Sequence, residues 1–220
     1  MHITPHILVT GLLLSLSLSH FRCAPETGEE KEAENVVYKA DLKSLNSSVT
    51  GREASGTATL TRKGDSLFIS VEATGLVPGI MHLQHYHGFE DGKDADCAEM
   101  AQDTNNDSII DLVETQAVSG ITLVPFNADP AALEITTQTY PVADSQGTIS
   151  YRDTVMIGTL QDAMKQKYGI DSLLLDHRIV YIHGVAPDMQ LPGSVQSLPN
   201  VPAHVTLPVA CGKLRRQSGE

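Results

Sequence analysis

Three histidines fall within the segment Met81-His82-Leu83-Gln84-His85-Tyr86-His87-Gly88. Side chains on an extended strand alternate between faces, so His85 and His87 point one way and His82 the other. Two imidazoles about 7 Å apart on one face can share a metal ion. A further imidazole, His183, ends the apolar run Ile179-Val180-Tyr181-Ile182. A single histidine in such a place is more often a core residue bonded to backbone. His-x-His together with a distant strand-end histidine shifts the balance towards a metal site. His177 shares strand parity with His183 and is either a fourth ligand or a surface residue. His204 is a weaker candidate of the same kind.

A second cation signal follows. Asp103-Thr104-Asn105-Asn106-Asp107-Ser108-Ile109-Ile110-Asp111-Leu112-Val113-Glu114 has the twelve-residue spacing of an EF-hand-type calcium loop. Asp103, Asn105, Asp107 and Asp111 place oxygens at positions 1, 3, 5 and 9, Ile109 offers its backbone carbonyl at position 7, and Glu114 closes the loop at position 12. Ser108 stands where glycine is expected for the sharp turn, which strains a left-handed backbone there. No flanking helices are evident, so a lone loop with a structural calcium is expected. Extracellular calcium would fill even a weak site of this type.

Strands must position these groups. Thr57–Thr61 and Leu67–Ala73 alternate with period two around Arg62-Lys63-Gly64-Asp65, the pattern of a β-hairpin. Ile80–His87, Thr148–Ile157, Ile179–His183 and Ala203–Ala210 are further expected strands. Only Leu160–Tyr168 has a helical pattern, closed by Gly169. Many short strands with long loops at 88–130 and 184–202 predict an all-β Greek-key sandwich or barrel with one short helix.

The chain's 220 residues carry 15 Lys+Arg against 27 Asp+Glu, a formal charge of −12. That balance argues against nucleic acid or a polybasic membrane contact, since both need clustered cations. The apolar run at 7–18 is too short to span a bilayer and matches the core of an export signal, taken as 1–22. Residues 23–35 form an acidic linker with five glutamates, 36–214 the folded domain and 215–220 a polar tail. The expected location is periplasmic or extracellular. Cleavage before His20 competes with lipidation of Cys23, which would make the protein a membrane-anchored lipoprotein. Three cysteines leave room for one bridge and one odd thiol. Asn46-Ser47-Ser48 and Asn106-Asp107-Ser108 have the Asn-x-Ser form of glycosylation sites.

The segment Gly75-Leu76-Val77-Pro78-Gly79-Ile80-Met81-His82-Leu83-Gln84-His85-Tyr86-His87 resembles the copper-binding strand of Cu/Zn superoxide dismutases, with its Gly-Leu-x-x-Gly lead-in and His-x-x-His-x-His. Arg178-Ile179-Val180-Tyr181-Ile182-His183 is similar to the strand that ends in the family's last copper histidine, and Ala210-Cys211-Gly212 to its carboxy-terminal motif. The resemblance runs over about 56–214. It implies copper held by His85, His87 and His183, a structural role for His82, and a Cys97–Cys211 disulfide. It also implies superoxide as the small-molecule partner.

The departures matter as much. No histidine lies between His87 and His177, so the bridging histidine and zinc ligands are missing. Pro208 occupies the place of the arginine that guides the anion, and the net charge opposes anion capture. The expected function is therefore an exported copper-binding domain with weak or absent superoxide dismutation, zinc being the alternative occupant. The competing reading is a non-catalytic, calcium-stabilised structural or binding lipoprotein whose histidines are vestigial. A zinc hydrolase ranks last, because no nearby carboxylate offers an obvious base, Glu90 and Asp91 being the nearest.

Overall fold

The alternating pattern at 55–74 folds as the hairpin it predicts. In the computed structural model, which describes residues 1–2 and 35–218, β2 (Ser55–Lys63) and β3 (Ser66–Thr74) pair antiparallel in unbroken register. Gly64, at φ 55, supplies the left-handed backbone of the two-residue turn. Ala58 and Leu60 face the core with Leu67, Ile69, Val71 and Ala73, while the intervening threonines and Phe68 face outwards.

β1 (Val36–Ser44) and β6 (Ile149–Met156) extend this hairpin to the order β1-β2-β3-β6. The other half runs β5-β4-β7-β8, from β4 (Gln84–Gly88), β5 (Ile121–Pro125), β7 (Ile179–His183) and β8 (Pro208–Lys213). β1 joins the halves: Val36–Leu42 pair with β2, whereas Lys43 and Ser44 pair with β8. β8 thus returns over a long connection to lie beside the first strand, a Greek-key order. Every pairing between strands is antiparallel. The all-β class expected from the sequence is the one the chain adopts. Pairing continues past residue 214, because Arg215–Arg216 form β9 against Tyr38 and Lys39.

One main core lies between the halves, with Leu60, Leu67 and Ile69 from one side and Tyr86, Val180 and Ile182 from the other. A smaller cluster of Ala95, Ile179, Tyr181 and Cys211 sits elsewhere, with Phe89 and Cys97 packed on it. Strand parity explains the separation. On β7, Val180 and Ile182 face the main core, so Ile179 and Tyr181 face the opposite side, where the segment after β4 covers them.

Several elements depart from expectation. β4 begins at Gln84 rather than Ile80, because the preceding residues leave the ladder: Met81 makes an isolated bridge to Val142, and His82 N donates to Pro141 O. The expected strand at Ala203–Ala210 divides after Pro202 into a helical turn, α4 (Ala203–Thr206), and then β8. The predicted helix starts earlier, as α3 (Ile157–Tyr168) directly after β6, and ends as expected on Gly169 in the left-handed region. β1 falls outside the segments expected as strands. α1 (Ser47–Thr50) lies outside every expected element, and α2 (Leu112–Ser119) and β5 lie in the 88–130 stretch expected to be a loop. The export signal, Cys23 and nearly all of the acidic linker lie outside the described residues. Among the described residues no helix is long and apolar enough to cross a membrane.

Asn46 is not an available glycosylation site. It is 7% exposed and its amide is fully engaged: Nδ2 donates to Ile110 O and Pro208 O, both at 2.9 Å, and Oδ1 accepts from Ile110 N at 2.8 Å. It also holds the left-handed backbone, φ 60, that asparagine tolerates better than most residues. One side chain therefore clamps the acidic loop to the start of β8. Asn46→Ala should cost about 3 kcal/mol, from three lost buried hydrogen bonds and a stranded Ile110 N–H. Differential scanning calorimetry should show it as a melting temperature lower by roughly 6–12 °C.

Candidate metal centre

The antiparallel register of β4 and β7 sets His85 opposite Tyr181 and His87 opposite Ile179. His183 N donates to Leu83 O at the end of the same ladder. Parity then brings His85, His87 and His183 onto the face that the 89–120 segment covers. The rings close in pairs: centroids lie 5.4 Å apart for His85 and His87, 4.9 Å for His85 and His183, and 5.9 Å for His87 and His183. Each offers one ring nitrogen within 4.8 Å of the others, the one such group of three ligands among the described residues. All three side chains are buried.

The hydrogen bonding of the triad is incomplete. His183 Nδ1 must donate to Thr206 O, 2.7 Å away, because a carbonyl only accepts. Its Nε2 is left with an unshared lone pair. His85 Nδ1 faces His87 Nε2 at 3.4 Å, and the latter also meets Thr122 Oγ1 at 3.2 Å. His85 Nε2, His87 Nδ1 and His183 Nε2 are buried without a hydrogen-bond partner. Burial holds all three imidazoles below their ordinary range, with mutual repulsion among the rings adding to it for His85 and His87. For His183 the value falls to about 4, burial outweighing the bond to Thr206 O. Neutral, unprotonated imidazole is the form that binds a metal ion.

These shifts set a pH dependence for protein kept in chelator. His183 takes up its proton at about 6.5 when unfolded and at about 4 when folded, so the unfolded chain binds more protons between those values. The His183 contribution is full above pH 6.5, falls as pH drops and levels off below about 4. His183 alone should remove about 3 kcal/mol by pH 4, read as a falling denaturation midpoint across that window.

Aromatic rings wall the cluster. Tyr181 packs edge-on against His87 with centroids 5.0 Å apart, and Tyr140 edge-on against His85 at 5.8 Å. The Tyr181 hydroxyl accepts from Ala98 N at 3.0 Å and bonds Ser119 Oγ at 2.9 Å, so it ties both ends of the covering segment to the strand beneath. Cys97 and Cys211 form a disulfide across 114 residues of sequence. Cys211 is the β8 neighbour of Tyr181. The bridge therefore fastens the covering segment beside the triad.

The remaining histidines stand apart. Both His82 nitrogens face backbone carbonyls, His183 O at 2.9 Å and Val77 O at 3.0 Å, so the ring sits between two segments rather than in the triad. His177 is part-exposed and faces Asp94 at 3.3 Å, and His204 Nε2 meets Met189 O at 2.7 Å. Glu90 and Asp91 are exposed, and no carboxylate belongs to the triad. Sequence reasoning missed Tyr140, Thr122 and Thr206. It missed Tyr181 too, although its parity with His183 two residues later was a signal that could have found it.

The acidic loop wraps its oxygens around its own backbone. Asp103 accepts from Asp107 N and Ser108 N, Asn105 from Asp107 N, and Asp107 from Ile109 N. Glu114 accepts from Thr104 N at 2.7 Å and, through its other oxygen, from Asp111 N. Ser108 takes φ 66, the left-handed turn expected of position 6. Contrary to the expectation of a lone loop, α2 follows directly, capped by Asp111 with Glu114 completing a capping box.

Among solved structures, the chain is similar to a Cu/Zn superoxide dismutase from Brucella abortus, at 18% sequence identity and a TM-score of 0.42, over 83% of this chain and 100% of that one. No protein-family model matches the chain, and no curated protein matches it.

Proposed function

We propose that this chain is an exported copper-binding domain with weak or absent superoxide dismutation. The observation that carries the proposal is that three buried imidazoles, His85, His87 and His183, each offer one ring nitrogen within 4.8 Å of the others. A metal ion accepts one lone pair from each ring. The neutral rings, the bond that fixes the His183 tautomer and the aromatic walls all suit that role.

Copper is favoured over zinc by the sequence resemblance at 75–87, 178–183 and 210–212. Copper would supply a one-electron redox couple, whereas the protein groups hold, orient and shield it. Tyr181 and the disulfide keep the covering segment in place, and Tyr140 closes the His85 side. Pro208 brings no positive charge, and its carbonyl is committed to Asn46. In a superoxide assay the copper-loaded protein should therefore turn over far below the diffusion limit that steered enzymes approach. Turnover near that limit would contradict this part of the reading.

A structural calcium at 103–114 belongs to the same reading, through Asp103, Asn105, Asp107, the Ile109 carbonyl, Asp111 and Glu114. It is favoured by the left-handed turn at Ser108 and by the burial of Ile110, the apolar anchor at position 8. Millimolar calcium should raise the melting temperature by several degrees, as expected for a ligand well above its dissociation constant. No shift would remove calcium from the account. Export and Cys23 lipidation stand as part of the proposal, to be tested by mass spectrometry of the mature amino terminus.

A further inference from the structure

We propose that the hydroxyl pair Ser197–Thr206 is the positioning device of His183, and that it ties this imidazole to the carboxylates of the acidic loop. The inference rests on the metal-binding reading and extends it to groups that do not touch the metal. Thr206 is the last residue of α4, is 3% exposed and gives its carbonyl to His183 Nδ1. That carbonyl sets both the tautomer and the plane of the ring. The Thr206 hydroxyl is itself held, by Ser197 Oγ at 2.7 Å.

The chain continues without a gap. Gln196 N, beside Ser197, donates to Asp111 Oδ2 at 2.7 Å, and Ser194 Oγ donates to Asp107 Oδ2 at 2.6 Å. Asp111 is 1% exposed, and its other oxygen caps α2. Residues 194–197 are thus strung between two carboxylates on one side and the Thr206 hydroxyl on the other. A second connection runs from Ile110 through Asn46 to Pro208, the ladder partner of His183. The long 184–202 segment has a task beyond connecting β7 to α4. It carries the position of the acidic loop to the outer partner of a metal-binding ring.

Outer partners that orient a ligating histidine are typically worth about 10–100-fold in metal affinity. Ser197→Ala and Thr206→Val each remove the hydroxyl pair while keeping the Thr206 carbonyl, and Thr206→Ser restores it. The test has two readouts, the 15N shifts of the His183 ring in metal-free protein and Cu(II) affinity with its EPR spectrum. Ser197→Ala and Thr206→Val should move the His183 shifts and weaken Cu(II) binding about 10-fold, with Thr206→Ser within about twofold of the parent. Asp111→Asn keeps the helix cap but removes the charge that Gln196 N faces, and should move the same shifts the same way by less. Unchanged shifts and affinity in Ser197→Ala and Thr206→Val would overturn the inference while leaving copper binding intact. A shift in those two variants but none in Asp111→Asn would overturn the link to the loop. If the parent protein retains no copper, the metal reading fails, and the His183 shifts still decide this inference.

Discussion

Replacing His85 and His87 together by alanine should abolish stoichiometric copper retention. Loss of either ring alone should weaken binding by at least about a hundredfold, since even outer-sphere partners of a ligating histidine contribute 10–100-fold. The reason is geometric. His85 and His87 reach the same face because they are two apart on β4, and the β4–β7 ladder brings His183 to them. With both removed, His183 remains a single buried imidazole, bonded to Thr206 O, that cannot hold copper against a chelator. Equilibrium dialysis with metal analysis reads the result. His177→Ala serves as the control, because His177 stands on the surface beside Asp94 and should leave retention unchanged.

The second large effect concerns the disulfide. Cys97→Ser/Cys211→Ser should lower stability by roughly 4–5 kcal/mol, the loop-entropy value for a bridge across 114 residues. For a domain of this size that is a melting temperature lower by roughly 8–20 °C in calorimetry. The consequence should not stop at stability. Cys97 packs on the small cluster of Ala95, Ile179, Tyr181 and Cys211, next to the triad. Freeing the covering segment loosens the Ala98 and Ser119 contacts to the Tyr181 hydroxyl, so copper should also dissociate faster from the double variant. A variant that melts like the parent would show that the bridge is not what restrains the segment.

Much of this centre was legible in the sequence because it follows from period two. His-x-His on one strand and a histidine ending another are patterns that survive any detail of packing. Tyr181 was not picked out, although the same parity pointed to it. The hairpin at 55–74 and the helix closed by Gly169 were legible for a similar reason, since both combine a clear period with an unambiguous turn residue. What escaped was decided by contacts between distant segments. Asn46 has the form of a glycosylation site, and only the approach of Ile110 and Pro208 makes it a buried clamp. Ala203–Ala210 alternates like a strand, yet its first half turns into α4 after Pro202 and there presents Thr206 O to His183. β5 is a five-residue run inside a stretch dominated by polar and acidic residues. It becomes a strand because β4 offers it an edge.

The acidic loop illustrates the same limit. Its spacing was readable, and so was the misfit of Ser108, which takes the left-handed turn nonetheless. That Asp111 and Glu114 also begin a helix could not be read from the cation pattern alone, although aspartate followed three residues later by glutamate is itself a capping signal.

The central claim is that the three buried imidazoles of His85, His87 and His183, each offering a ring nitrogen to the others' side, form a copper site. Its most direct test is copper EPR with metal analysis on the disulfide-intact protein after copper loading and exhaustive dialysis. The account predicts one copper per chain, with hyperfine structure from three nitrogens that disappears in the His85→Ala/His87→Ala variant. Less than stoichiometric copper, or a spectrum unchanged by that double replacement, would contradict it.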